Sequence, residues 1–242
     1  MPITPADLEY YKSNAAGSTG GTITATAVTD NSLNNLFDDV TSDESVSGAS
    51  EYRKIFVKNN HGSLTWQNVA YWRSSDTVSV NDEVWLGMGT ASDDDGANEL
   101  SALSVASVIA VVSDGADTRQ ITLVGEDAGS NRVTETLTLN GTTEVVGVVS
   151  FTKLYLAYPS ASSALRIVTV RQGAGGVSRG TIGLNKLSAI LYLNVTSKAT
   201  GLELGNIAAG NSQGLWIKRI VAPGAAAATA NQGTIKCEGD TT

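Results

Sequence analysis

The sequence predicts a mainly β protein: two β-sandwich or barrel-like domains with short helical turns and extended termini. Three observations carry this expectation. Short runs of β-branched and aromatic residues recur about every 8–15 residues, the spacing of antiparallel sandwiches and barrels. The runs are separated by Gly, Asn and Ser turns, and the chain holds 25 Gly, 25 Ser and 26 Thr. Helical periodicity is confined to a few short stretches. A length of 242 residues is natural for two domains, and a 41% hydrophobic content is enough to pack both.

The strands follow in chain order. Tyr52–Val57 leads into the turn Asn59-Asn60-His61-Gly62, and Leu64–Trp72 returns from it. Val84–Gly89 is a third apolar run. Arg119–Val124 and Val133–Leu139 flank the polar stretch Glu126–Asn131, and Asn140-Gly141-Thr142 is a tight-turn signal. Further strands are expected at Phe151–Tyr158, Leu165–Arg171, Ala189–Val195, Leu202–Ile207, Leu215–Val221 and Thr234–Glu238. Pro5–Lys12 reads either as a helix capped by Thr4, with Pro5 in its first turn, or as an arm that adds as a strand. Asp30–Phe37 places Leu33, Leu36 and Phe37 at helical spacing and predicts one or two helical turns. Ala225–Ala228 is expected to be a loop.

Charge sets the expected division of the chain. Up to Asp95 there are 14 acids against 5 bases, and from Gly96 onward 10 acids against 11 bases. The run Asp93–Asn98 marks the change, which predicts an acidic, Trp-rich domain over 1–95. A second domain with an extension is then expected over 96–222, and a tail or edge strand over 223–242.

Composition also narrows the function. A net charge of −8 argues against a nucleic-acid binder. The first residues lack the basic and apolar regions of a signal peptide, and no apolar stretch reaches the ~20 residues of a spanning helix, so no membrane association is expected. With a single His and a single Cys, most zinc sites, His-based acid–base chemistry and internal disulfides are not expected. His61 is expected to serve its turn, and Cys237 has no sequence-adjacent base to activate it. Gly173–Gly176 lacks the Lys and the βαβ context of a phosphate loop and reads as a hairpin loop. Asn140-Gly141-Thr142 and Asn194-Val195-Thr196 match the glycosylation sequon without a secretory context.

Two groups are candidate sites. Asp93, Asp94 and Asp95 cluster hard oxygen ligands suited to calcium, with a solvated linker as the other reading. Trp66, Trp72 and Trp85, with Tyr52, Phe56 and Tyr71, could line a carbohydrate surface, with core packing as the other reading. Trp66 and Trp72 are six apart, which predicts that they share a strand face with Leu64 and Ala70, Tyr71 pointing away. No cofactor and no enzymatic activity are expected.

The strings Asn34–Thr41, Glu51–Asn59 and His61–Leu64, followed by Val84–Ala91, resemble a domain of tailed-bacteriophage virion structural proteins. The similarity covers roughly residues 20–95. It takes the form of a short helix, an acidic Ser/Gly loop, and a strand and turn. Gly125–Thr142 is similar to Ig-like β repeats of phage head and tail proteins, over about residues 100–172. The resemblance implies a non-enzymatic virion part, assembled in the bacterial host cytoplasm. A capsid decoration (cement) protein is the leading form, bound to the major capsid protein and to sister copies, as a symmetric homo-oligomer such as a trimer. Two alternatives remain open. One is a neck, tail or baseplate fibre component bound to other virion proteins, and the other a carbohydrate-binding receptor adhesin.

Overall fold

A computed structural model describes residues 2–30, 32, 34–76, 82–92, 96–226 and 233–240. The strands are β1 (Leu8–Ser13), β2 (Ile23–Ala27), β3 (Ala49–Asn59), β4 (Trp66–Asp76), β5 (Asp82–Met88), β6 (Ser107–Ser113), β7 (Gln120–Glu126), β8 (Arg132–Thr138) and β9 (Val145–Phe151). They continue with β10 (Lys153–Pro159), β11 (Val168–Gln172), β12 (Ser178–Ile182), β13 (Ala189–Ile190), β14 (Tyr192–Leu193), β15 (Leu202–Ile207), β16 (Ser212–Val221) and β17 (Gly233–Asp240). One short helix, α1, spans Ser42–Ser47.

The fold is mainly β and antiparallel, as composition predicted. The chain forms two compact units, Met1–Ser92 with Leu193–Thr242, and Asp93–Tyr192. The first boundary falls beside the acidic run, where the sequence placed it. The second corrects the expected division, because residues 193–222 return to the first unit. The reason is strand pairing: β16 inserts between β3 and β5, with partners running from Ser212–Lys58 to Val221–Ala49 along β3. The charge contrast changes accordingly. The first unit holds 14 acids and 9 bases, and the second holds 10 acids and 7 bases, so both are acidic.

The first unit is built on a sheet of order β14-β5-β16-β3-β1-β2, with a second sheet of order β15-β4-β17. Ile55, Val57, Leu86, Met88, Leu215 and Ile217 are all at most 3% exposed and form the core beneath the central strands. The terminal segment is an edge strand: β17 pairs with β4 from Gly233–Asp76 to Asp240–Gln67. Pro5–Lys12 divides between the two readings. Pro5–Asp7 is a single 3-10 turn and Leu8 onward is strand. The turn is held by the Asp7 carboxylate, which accepts from the Thr4 N–H at 2.7 Å and its hydroxyl at 2.8 Å.

The helix expected over Asp30–Phe37 is absent among the described residues, where Asn34–Phe37 form a turn and bends; Asn31 and Leu33 lie outside them. The helix forms instead in the acidic Ser/Gly stretch. The Thr41 hydroxyl accepts from Glu44 N at 3.3 Å while the Glu44 carboxylate accepts from Thr41 N at 2.7 Å, a reciprocal cap that satisfies the first turn.

The second unit has two four-stranded sheets, β13-β10-β7-β8 and β12-β11-β6-β9, whose inward side chains are buried as in a sandwich. Ile109, Ile121, Leu123, Tyr155, Val168 and Val170 are fully buried in it.

Candidate functional surfaces

Residues of the strings Asn34–Thr41 and Glu51–Asn59 meet Lys12 and Arg219 in one clamp in the first unit. Arg53 on β3 and Arg219 on β16 reach toward the loop Leu36–Asp38, because Arg53 pairs with Ile217 and Glu51 pairs with Arg219 along the same ladder. Their guanidinium carbons lie 5.0 Å and 4.9 Å from the centroid of the Phe37 ring. Arg53 Nε donates to Leu36 O and Arg219 Nη1 to Asp38 O, each at 2.8 Å. Glu51 Oε2 accepts from Arg219 Nε at 2.6 Å and Glu51 Oε1 from Arg53 Nη2 at 3.2 Å, so one carboxylate balances two cations. Lys12 Nζ donates to Asn35 O at 2.8 Å and extends the clamp to β1. This is structural chemistry: each charged group is taken up by fixing a loop on a sheet.

The turn after β3 works the same way. Asn59 is fully buried, and its amide donates to Leu64 O at 2.8 Å and Ile207 O at 3.0 Å. His61 Nδ1 accepts from Ser63 N at 3.1 Å and Leu64 N at 3.0 Å, which makes the imidazole a turn cap.

The Cys237 thiol faces two phenols. It is hydrogen-bonded to the Tyr10 hydroxyl on β1, and Tyr71 on β4 is its direct strand partner. Burial pushes the thiol pKa up to about 12. Burial, and then the neighbouring sulfur, raises both Tyr10 and Tyr71 well above the ordinary phenol value. A thiol so placed is protonated at neutral pH and is no nucleophile.

The tryptophans do not form the row that their spacing predicted. Trp66 and Trp72 are buried, at 2% and 6% exposure. Against β17, Ala70 pairs with Glu238 and Gln67 with Asp240; against β15, Val69 pairs with Gly205 and Trp66 with Ile207. Each partner advances two residues while β4 advances three, so β4 holds one extra residue, and Asn68 adopts a left-handed φ of 51°. The bulge changes the parity between Trp66 and Trp72, and they project to opposite faces. Trp216, outside the expected cluster, is fully buried. Trp85 alone of the three candidates is half-buried, with its Nε1 donating to Glu83 Oε2 at 2.7 Å.

Asp93, Asp94 and Asp95 lie outside the described residues, and among the described residues no cluster of metal-ligating side chains is found. Gly173–Gly176 is the β11–β12 hairpin loop, and Gly175 N donates to Glu144 Oε2 at 2.6 Å, so this chain's own carboxylate takes the amide a phosphate would need. In the second sequon, Asn194 Oδ1 accepts from Arg73 Nη2 at 3.0 Å. Two described acids of the second unit, Asp117 and Glu126, are likewise engaged. Asp117 is held below the usual carboxylate range first by its hydrogen bonds from Arg119, and Glu126 pairs with Lys153 Nζ at 2.7 Å and accepts from the Tyr155 hydroxyl.

No protein-family model matches this sequence, and no curated protein and no solved structure is detectably similar to it.

Proposed function

We propose that the chain is a non-enzymatic structural component of a tailed-phage virion, and specifically a capsid decoration protein that binds the major capsid protein and stabilises the head. The observation that carries the reading is the union of two features. The strings Asn34–Thr41 and Glu51–Asn59 resemble those of phage virion proteins, and their residues interlock through Phe37, Glu51 and Arg53 into one fixed surface element. Arg53, Arg219, Lys12 and Asn59 tie loops to sheets, which suits a protein whose work is done by its surface. Edge strands such as β2 and β17 offer main-chain groups to neighbours. A protein of this kind acts by mass action: binding only the assembled shell stabilises the shell. Copies would associate as symmetric oligomers, with a trimer as the working expectation.

The test is a deletion of the coding sequence in the phage, with heads assayed for rupture on heating. The proposal expects assembled heads that rupture at lower temperature and regain stability when the purified chain is added back. Heads of normal stability on particles with defective necks or tails would instead support a neck or tail component.

A further inference from the structure

β17 closes one side of the three-stranded sheet, with β4 as its strand partner. Among the described residues no backbone group outside β4 bonds to it. In an antiparallel pair, alternate residues point both N–H and C=O away from the partner strand, so β17 leaves an outer row of donors and acceptors. That row is regular. The register against β4 shifts between Thr234 and Ile235 and between Glu238 and Asp240, and both times β4 holds the extra residue. The strand therefore runs its 8 residues without a bulge, and it carries no proline. Natural edges are blunted by bulges, prolines or charge, and only charge is present here. Lys236, Glu238 and Asp240 stand exposed on one face, while Ile235, Cys237 and Gly239 alternate with them on the half-buried face. Glu238 meets Lys198 at 3.8 Å in a solvent-exposed pair that contributes little, and Asp240 accepts from Asn68 Nδ2 at 2.8 Å.

We propose that β17 pairs antiparallel, edge to edge, with β17 of a second copy of this chain, about a two-fold axis at Cys237. Charge sets the register. A two-fold axis normal to the sheet keeps solvent-facing residues opposite solvent-facing ones, so it must pass where one residue opposes its own copy. An axis at Lys236 opposes two ammonium groups, and one at Glu238 opposes two carboxylates. An axis at Gly239 sets Glu238 against the partner's Asp240, twice. The axis at Cys237 places Lys236 opposite the partner's Glu238, and Glu238 opposite the partner's Lys236. It also places Thr234 opposite the partner's Asp240, so that hydroxyl faces carboxylate. Direct partners have Cβ atoms about 4.5–5.5 Å apart, within reach of an ion pair. On the half-buried face Ile235 lies opposite the partner's Gly239, where the missing side chain leaves room. The pairing joins the two three-stranded sheets into one. A second copy is the fitting occupant because one strand meets both sides of the charge pattern. The inference does not depend on the virion reading, and this two-fold contact is separate from the three-fold association expected there.

The full chain is followed over a concentration series by sedimentation velocity, with amide exchange of β17 read in parallel. The pairing predicts reversible association through a two-fold contact, with a Kd between about 1 μM and 1 mM, the weak range of a small interface. It also predicts that alternate β17 amides exchange more slowly as concentration rises. Lys236→Glu and Glu238→Lys each set like charges opposite one another twice, and each should raise the Kd about tenfold or more. The double variant, or an equimolar mixture of the two single variants, restores unlike pairs and should return the Kd to within about threefold of the original. Monomers throughout, with β17 exchange independent of concentration, overturn the proposal. So does a Kd unchanged in both single variants, or no recovery in the double variant and the mixture. Trimers whose assembly ignores both reversals also overturn it, and leave the virion reading intact. The exchange measurement on the unaltered chain decides the matter if a variant does not fold.

Discussion

The guanidinium carbon of Arg219 lies 4.9 Å from the centroid of the Phe37 ring, across 182 residues of sequence. With Arg53 at 5.0 Å and Glu51 bridging the two cations, it turns the loop before α1 into a fixed part of the sheet surface. The side chains of Arg219 and Glu51 are only 10% and 15% exposed, so removing one partner leaves the other poorly solvated. Arg219→Ala is expected to destabilise the first unit by about 2–4 kcal/mol in urea unfolding. Arg219→Lys should recover less than half of this, because the ammonium lacks the planar fork that contacts Glu51, Asp38 O and Phe37 together. A loss below about 0.5 kcal/mol for the alanine variant would mean that the clamp is ornamental.

The Tyr10–Cys237–Tyr71 cluster predicts sensitivity to base. The folded pKa values of all three groups are raised, so folding favours the protonated forms. The stability they hold is fully present below the unfolded thiol value of 9.0 and is lost as pH rises toward about 12. Thermal unfolding should show the melting temperature falling above about pH 9, and Cys237→Ala should delay the onset toward the phenol range. At pH 8 the folded thiol should react with iodoacetamide on the order of a thousandfold more slowly than in urea, the ratio of thiolate populations for values near 12 and 9.0. Equal rates in the two states would contradict the burial.

At the other end of the scale, Asp117 has a lowered carboxyl pKa owing first to its hydrogen bonds from Arg119, with Nη2 donating to Oδ2 at 2.7 Å. A depressed folded pKa gives stability that is present above the unfolded value of 3.8 and is lost as pH falls through the folded one. Asp117→Asn should therefore lower the melting temperature of the second unit at pH 7 and leave it nearly unchanged below about pH 3. A deficit of the same size at both pH values would place the effect in packing and not in charge.

Glu135 closes the gap between the edge strands β8 and β9. Its Oε1 accepts from Val148 N at 2.6 Å and Val149 N at 3.3 Å, where β9 bulges and Val148 stands 88% exposed. A Cβ on Gly147 would sit 2.1 Å from Glu135 Oε2, so a side chain there would displace the carboxylate from this position. Glu135→Ala should speed amide exchange at Val148 and Val149 and cost about 1–3 kcal/mol, whereas Glu135→Gln keeps an accepting oxygen and should retain most of the protection. Exchange rates unchanged in the alanine variant would remove the carboxylate from this role.

Composition and turn signals made most of the strands legible because they are local properties of the chain, but β2, β6, β12 and all of β9 except Phe151 lie outside the expected runs. The helix at Ser42–Ser47 was also locally encoded, in the pair Thr41 and Glu44, but the acidic Ser/Gly composition around it reads as loop. The parity of Trp66 and Trp72 was not legible, because the bulge at Asn68 is defined by partners on β15 and β17. The return of residues 193–242 to the first unit depends on β16 finding β3 and β5, a pairing that periodicity does not carry. The clamp shares this cause: Arg219 on β16 completes a group whose other members lie at or before Arg53.

The central claim, a decoration protein of a phage head, is tested most directly by the number of copies of this chain per particle. Quantitative mass spectrometry of purified virions should find it in fixed proportion to the major capsid protein, at hundreds of copies per head. Absence from the particles, or a handful of copies in each, would contradict it.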